Sequence, residues 1–234
     1  MLATVVSIGL LGVLVDAYLP GVIERVPAGQ RALVGPGGTS GPAHRFDRRS
    51  LPIIAVTTVV FALLAARFGF SAELPAFLYG AAAGIALAAI DLAHHRLPNA
   101  LTLPSYVIAG GLLGLAALVR GELGPFLRAL AGMVALYALY YLLMLIYPAG
   151  MGFGDVKLAG VVGLYLGWLG WAEVMIGGFL GFVIGALSGL GLMAARRATR
   201  KSALPFGPAM LLGALIAVLA GTAIADWYLG GMAG

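Results

Sequence analysis

Two acidic residues stand where long apolar runs meet polar segments. Asp91 ends one apolar run and Asp155 begins another. An acid at membrane depth is poorly hydrated and costly to ionise, so each is a candidate functional residue. Two carboxylates within a few ångströms of each other tend to share one proton. The ionised member can then take a proton from water while the protonated member hydrogen-bonds to a carbonyl, so the pair predicts acid–base hydrolysis.

The residues before Asp155 suit this chemistry. Gly152 and Gly154 flank Phe153, and we expect them to give the backbone conformations and close approaches that larger residues exclude. Asp155 then lies near a helix N-terminus, whose dipole favours the charged carboxylate. Asp91 lies at a helix C-terminus, where the dipole disfavours it. The simplest assignment therefore makes Asp155 the more acidic member and Asp91 the proton holder.

Three polar or helix-breaking residues near the acids are candidates for substrate binding or for local structure. Pro98 restricts the preceding residue to extended geometry and ends the helix that carries Asp91. Asn99 is predicted either to cap the next helix or to contact a substrate. Lys157 is predicted either to orient a carboxylate or to extend its ammonium group to the membrane surface.

No metal site or other cofactor is predicted. Only His94 shares a helix face with Asp91, because the adjacent His95 points away from it. A zinc site normally needs three or four ligands. A further membrane acid, Asp16, is predicted either to hydrogen-bond between packed helices or to relay protons.

The composition predicts a membrane protein. The 234 residues are 62% hydrophobic and 10% charged, and the mean hydropathy is +1.03, which excludes an ordinary soluble domain. The absence of cysteine excludes disulfides and thiolate nucleophiles. The basic residues behind the net charge of +5 lie mainly in loops between apolar runs. This distribution indicates how the chain is oriented in a membrane and does not indicate nucleic-acid binding.

The apolar runs predict an all-α polytopic protein with one membrane domain over residues 1–234, because none shows strand-like alternation. We read the first run as a retained span and not as a cleaved signal peptide. The segment 24–50, rich in Gly, Pro and Arg, is predicted to be a basic cytoplasmic loop that anchors the chain or contacts substrate. The eight candidate spans are 1–23, 51–70, 74–91, 100–119, 125–147, 155–170, 172–195 and 207–229.

The basic residues predict the orientation of these spans. With the N-terminus outside, 11 of the 14 Lys and Arg residues fall on the cytoplasmic side and 3 fall outside. Asp91 then closes the third span on its way in, and Asp155 opens the sixth on its way out. Both acids are therefore expected near the cytoplasmic membrane surface, in a protein with both termini outside.

The motif Gly152-Phe153-Gly154-Asp155, continued by Val156-Lys157-Leu158 and combined with Asp91 and Leu97-Pro98-Asn99, resembles the bacterial type IV prepilin peptidases. These are intramembrane aspartic endopeptidases with eight spans. Residues 205–208 are similar to a further signature of that family, and the resemblance covers about residues 74–229. It implies that Asp91 and Asp155 are the catalytic pair. It also implies cleavage of the basic leader of prepilins or pseudopilins at the cytoplasmic face of the bacterial plasma membrane, in pilus assembly or type II secretion.

One departure from the family bears on a second activity. Many members carry paired Cys-x-x-Cys motifs in a cytoplasmic loop, associated with zinc and with N-methylation, and the corresponding loop 28–50 has no cysteine. We therefore expect a peptidase-only form whose partners are its pilin-like substrates and membrane lipid. An ion-coupled transporter would also use membrane acids, but would tend to show internal repeats and acids near the bilayer midplane. A non-catalytic scaffold for pilus assembly would not require both acids.

Overall fold

The computed structural model describes residues 51–148, 150–196 and 205–232, and every regular element in these ranges is an α-helix. The first six helices are joined by connections of one to six residues. They are α1 Leu51–Phe68, α2 Leu74–His94, α3 Asn99–Arg120, α4 Gly124–Ile146, α5 Phe153–Leu169, α6 Trp171–Ala194 and α7 Gly207–Met232.

Each predicted span within the described ranges corresponds to one of these helices. The predicted span 1–23 and the loop 24–50 lie outside the described residues. Five of the helices, α2, α3, α4, α6 and α7, are long and apolar enough to cross a membrane. Most helix boundaries differ from the predicted spans by one to three residues. One of these differences bears on the site: α2 continues to His94, so Asp91 lies inside the last turn of its helix and does not end it.

The helix ends follow from proline and glycine. Pro75 and Pro125 lie in the first turns of α2 and α4. A backbone N–H in the first turn has no hydrogen-bond partner within the helix, so proline, which lacks this N–H, is tolerated there. Gly69 and Gly121 follow α1 and α3 with φ of 59° and 68°, the left-handed conformation that glycine adopts without strain. These residues set the sharp reversals of the chain.

The central helix of the described bundle is α5. Twelve of its 17 residues are buried, which leaves no polar face, as expected for a helix surrounded by others. It packs against α3, α4, α6 and α7. The outer helices instead expose large apolar side chains, including Val107, Leu118, Met175 and Phe179. An apolar outer surface around an apolar core fits a bilayer as the surrounding solvent.

Glycines bring α4 and α5 into backbone contact. A methyl group placed on Gly163 would lie 2.8 Å from the carbonyl carbon of Gly132, and one on Gly167 would lie 2.9 Å from Cα of Ala129. Small residues at such contacts let membrane helices approach closely. Arg128 on α4 then donates to the carbonyls of Gly167, Trp168 and Leu169 at the end of α5. These contacts fix the register of the two helices.

Candidate active site

Asp91 is a buried acid held by another helix. Its side chain is 4% exposed, and its Oδ2 accepts a hydrogen bond of 3.1 Å from the backbone N–H of Gly207. Gly207 is the first residue of α7. The backbone carbonyl of Asp91 accepts from His95, which takes the left-handed conformation after α2. Asp91 is thus oriented by the start of α7.

Asp155 is held by the turn that precedes it. It is the third residue of α5, and its Oδ2 accepts a hydrogen bond of 3.1 Å from the backbone N–H of Gly152. Gly152 has φ of −79° and ψ of 150°, which any residue can adopt. Neither Gly152 nor Gly154 is among the described glycines with positive φ. The expectation of a glycine-only conformation is therefore wrong, because extended backbone already aims the Gly152 N–H at the carboxylate.

The close approach of a neighbouring side chain does explain the glycine at position 154. A methyl group on Gly154 would lie 3.0 Å from Cβ of Leu97, and one on Gly207 would lie 3.5 Å from Cδ2 of the same leucine. Leu97 therefore packs between the start of α5 and the start of α7. The side chain brings the Gly152–Asp155 turn to the end of the bundle that holds Asp91.

The two carboxylates lie at the same end of the bundle, close enough for the charge of Asp91 to act on Asp155. Each of them accepts a backbone N–H at the start of a helix, from Gly152 for Asp155 and from Gly207 for Asp91. The dipole of its own helix disfavours ionised Asp91, but the N-terminus of α7 favours it. The start of α7 therefore opposes the effect of α2 on Asp91, and the assignment of Asp155 as the more acidic member stays a prediction.

Lys157 contacts Asn99 and no carboxylate of the described residues. Its Nζ donates to Oδ1 of Asn99 at 2.8 Å and lies 4.5 Å from the centre of the Phe153 ring. Asn99 is the first residue of α3 and does not cap it, because Pro98 occupies the cap position and no side-chain cap bond forms. The pair instead joins the starts of α3 and α5.

The histidines beside the site point outward. His94 and His95 are exposed, and the described residues hold no group of three or more His, Asp and Glu side chains suited to a metal ion. Asp16 lies outside the described residues.

Comparison with known proteins identifies the family. A model of the type IV leader peptidase family matches residues 77–190. The prepilin leader peptidase/N-methyltransferase of Bacillus subtilis (strain 168) is 31% identical over 175 residues, which cover 74% of this chain and 67% of that protein. The chain belongs to the type IV leader peptidase family. The protein of the same name from Aeromonas hydrophila is 38% identical over 151 residues, or 62% of this chain and 49% of its own length.

The chain spans about half the length of the Aeromonas relatives it matches. The protein of the same name from Legionella pneumophila is 34% identical over 184 residues, which cover 76% of this chain and 62% of that protein. No solved structure matches the chain.

The match to the leader peptidase family includes both acids and the glycine turn, but it ends before Gly207. The sequence singled out residues 205–208 as a motif without giving them a role, and the structure shows the Gly207 N–H on Asp91. Leu97 was likewise quoted only as part of a motif. Their contacts depend on the packing of α2, α5 and α7, and only the similarity of residues 205–208 to a family signature pointed toward Gly207.

Proposed function

We propose that Asp91 and Asp155 are the catalytic pair of an intramembrane aspartic endopeptidase. The observation that carries the proposal is their shared environment at one end of the bundle. Each carboxylate accepts a backbone N–H from a helix start, at 3.1 Å in both cases. Leu97 packs against both of those helix starts. Held acids with interacting charges are the arrangement that aspartic hydrolysis needs.

The reaction uses one proton shared between the two acids. The ionised carboxylate takes a proton from a water molecule, whose oxygen bonds to the scissile carbonyl carbon while the protonated acid donates to the carbonyl oxygen. The resulting tetrahedral intermediate breaks its C–N bond, and the amine leaves with a proton from the acid that received one from water. The second acid recovers its proton from the collapsing hydroxyl group. The pair returns to its starting state with one proton.

The proposed substrate is the basic leader of a prepilin or pseudopilin. Support comes from relatives that carry the name prepilin leader peptidase/N-methyltransferase. The distribution of basic residues supports eight spans with both termini outside, so that the acids lie at the cytoplasmic face of the plasma membrane. A substrate helix in the same membrane presents its leader junction at that depth, within reach of Asp91 and Asp155.

The proposed enzyme is a peptidase without methyltransferase activity. The relatives' name includes both activities, but the segment 28–50 carries no cysteine of the kind found in the methylation-associated loop of many family members. In the proposed hydrolysis, the two carboxylates and water carry the proton transfers.

Carboxamide substitutions test the pair. We expect Asp91→Asn and Asp155→Asn each to reduce cleavage of a purified prepilin on the order of a thousandfold or more, because groups that act as a unit fail together. Asp226→Asn is the matched control, since Asp226 is an exposed acid in the last part of α7, and it should cleave like the wild type. Each protein is assayed in lipid or detergent after its helicity and monodispersity are matched to the wild type.

The same panel distinguishes the other classes of function. A scaffold for pilus assembly would support piliation in cells with either carboxamide in place. A transporter would show ion flux in proteoliposomes that both substitutions abolish, with no cleavage by the wild type. Near-normal cleavage by either folded carboxamide variant would refute the pair.

A further inference from the structure

One buried tyrosine hydroxyl near the acids has no hydrogen-bond partner. Tyr140 on α4 is 1% exposed, and its hydroxyl is one of three buried side-chain atoms without a partner in the described residues. Buried polar groups in proteins are almost always paired, so an exception calls for an explanation. Three other tyrosines of the described helices follow the rule. The hydroxyls of Tyr79, Tyr106 and Tyr165 pair with Ser105 Oγ, Lys157 O and Ala76 O, respectively.

The register of α4 and α5 brings Tyr140 level with Asp155. Gly132 and Gly163 are in backbone contact, and the two helices are antiparallel. Eight residues from Gly132 toward the end of α4 lead to Tyr140, and eight residues from Gly163 toward the start of α5 lead to Asp155. Both steps cover about 12 Å along the helix axes. Tyr140 and Gly132 also belong to the same buried face of α4.

The surroundings of the ring hold the hydroxyl near both acids. The Tyr140 ring stacks on Phe182 at 5.0 Å and lies 6.1 Å from Phe206, measured between ring centres. Phe206 directly precedes Gly207, whose N–H binds Asp91. A methyl group on Gly181 would lie 3.6 Å from the hydroxyl oxygen, so the glycine leaves space beside it. The charge of Asp155 also acts on this hydroxyl.

We propose that Tyr140 is a positioning residue whose hydroxyl donates a hydrogen bond to the Asp155 carboxylate when the acid pair is singly ionised. The inference rests on the proposed function of the pair, and it adds a third polar group to it. The unpartnered hydroxyl stands level with the acid on a facing helix, and aromatic packing prevents its ring from turning to solvent. The bond keeps the carboxylate oriented toward water and stabilises its charged form.

Tyr140→Phe removes the hydroxyl and keeps the ring. We expect kcat for prepilin cleavage to fall about ten- to a hundredfold, the range for losing a hydrogen bond to a charged group, with KM within about twofold. The acidic limb of the pH–rate profile, which reports formation of the singly ionised pair, should move to higher pH by about one unit, because the charged form loses a donor. Tyr141→Phe is the matched control. Tyr141 follows on the same helix, is 41% exposed, and should leave kcat and the profile unchanged.

A second readout works without catalysis. Infrared spectroscopy can follow the band of the protonated Asp155 carboxyl, identified by its disappearance in Asp155→Asn, as a function of pH. Tyr140→Phe should shift the midpoint of this titration to higher pH, and Tyr141→Phe should leave the midpoint unchanged. A failure of the proposed peptidase activity would remove the cleavage signal from the wild type but not this band. Should Tyr140→Phe not fold, 3-fluorotyrosine at position 140 retains the packing, and its stronger donor should move the midpoint downward. An unshifted midpoint in the folded variant, or a loss of kcat with an unchanged pH profile, overturns the proposal.

Discussion

A methyl group added at Gly207 tests how Asp91 is held. The Cβ of an alanine at this position would lie 2.8 Å from Oδ2 and 3.4 Å from Cγ of Asp91. Carbon–oxygen contacts in proteins settle at about 3.3 Å or more. The carboxylate therefore has to move by roughly half an ångström. It is buried beside Leu97, so it moves away from the helix start that orients it.

The size of the effect follows from the hydrogen bond that the shift removes. The Gly207 N–H lies 3.1 Å from Oδ2, and a displacement of roughly half an ångström takes it to about 3.6 Å, where no hydrogen bond remains. A hydrogen bond to a charged group contributes about 1.5–3 kcal/mol. If the whole of this loss appears in the transition state, kcat falls about ten- to a hundredfold.

The assay compares prepilin cleavage and thermal unfolding for Gly207→Ala and Gly110→Ala. Gly110 lies inside α3, and a methyl group there meets nothing within 4 Å, so we expect wild-type kcat from this control. Gly207→Ala should lose kcat while its helicity and monodispersity match the wild type. If Gly207→Ala cleaves at the wild-type rate, the N–H of Gly207 does not orient Asp91 for catalysis.

Three further predictions concern the framework of the site. Gly163→Ala should lower the free energy of unfolding by about 1–3 kcal/mol, because its methyl group meets the backbone of Gly132; an unchanged unfolding midpoint beside the Gly110→Ala control would contradict the tight α4–α5 contact. Arg128→Gln should lower the free energy of unfolding by about 1.5–3 kcal/mol, because three carbonyls at the end of α5 lose a charged donor. Backbone hydrogen exchange should increase first at that end of α5, and an equal increase along the whole helix would contradict the prediction. A double-mutant cycle of Asn99→Ala and Lys157→Met, followed by thermal unfolding, should give a coupling energy below about 1 kcal/mol, as for other exposed pairs; a larger value would mean that the pair is shielded from water.

The helices and the two acids were accessible from the sequence for a physical reason. A run of about 20 apolar residues has few alternatives to a buried or membrane helix, and an acid at the end of such a run stands out because ionising it there is unfavourable. The helices over the described ranges agree closely with the predicted spans. The positions of Asp91 and Asp155 therefore made them candidates, and their catalytic role stays a proposal.

Two contacts at the site were not accessible from the sequence, because they join residues far apart in the chain. Lys157 and Asn99 are separated by 58 positions, and Gly207 and Asp91 by 116. Nothing local favours these partners over others. Tyr140 shows the same limit, since it is level with Asp155 only because of the α4–α5 register. Its hydroxyl is unremarkable in a helix that also carries Tyr137 and Tyr141.

The two acids also differ in what their orientation depends on. The partner of Asp155 lies three residues away in its own turn, so this acid is oriented as soon as α5 forms. The partner of Asp91 belongs to α7, which is held against α6 by a backbone contact: a methyl group on Gly213 would lie 3.0 Å from Cα of Gly181. Any loosening of α6 against α7 therefore reaches Asp91 before it reaches Asp155. Because the proposed hydrolysis needs both acids at once, we expect the docking of α7 to determine when the pair is complete.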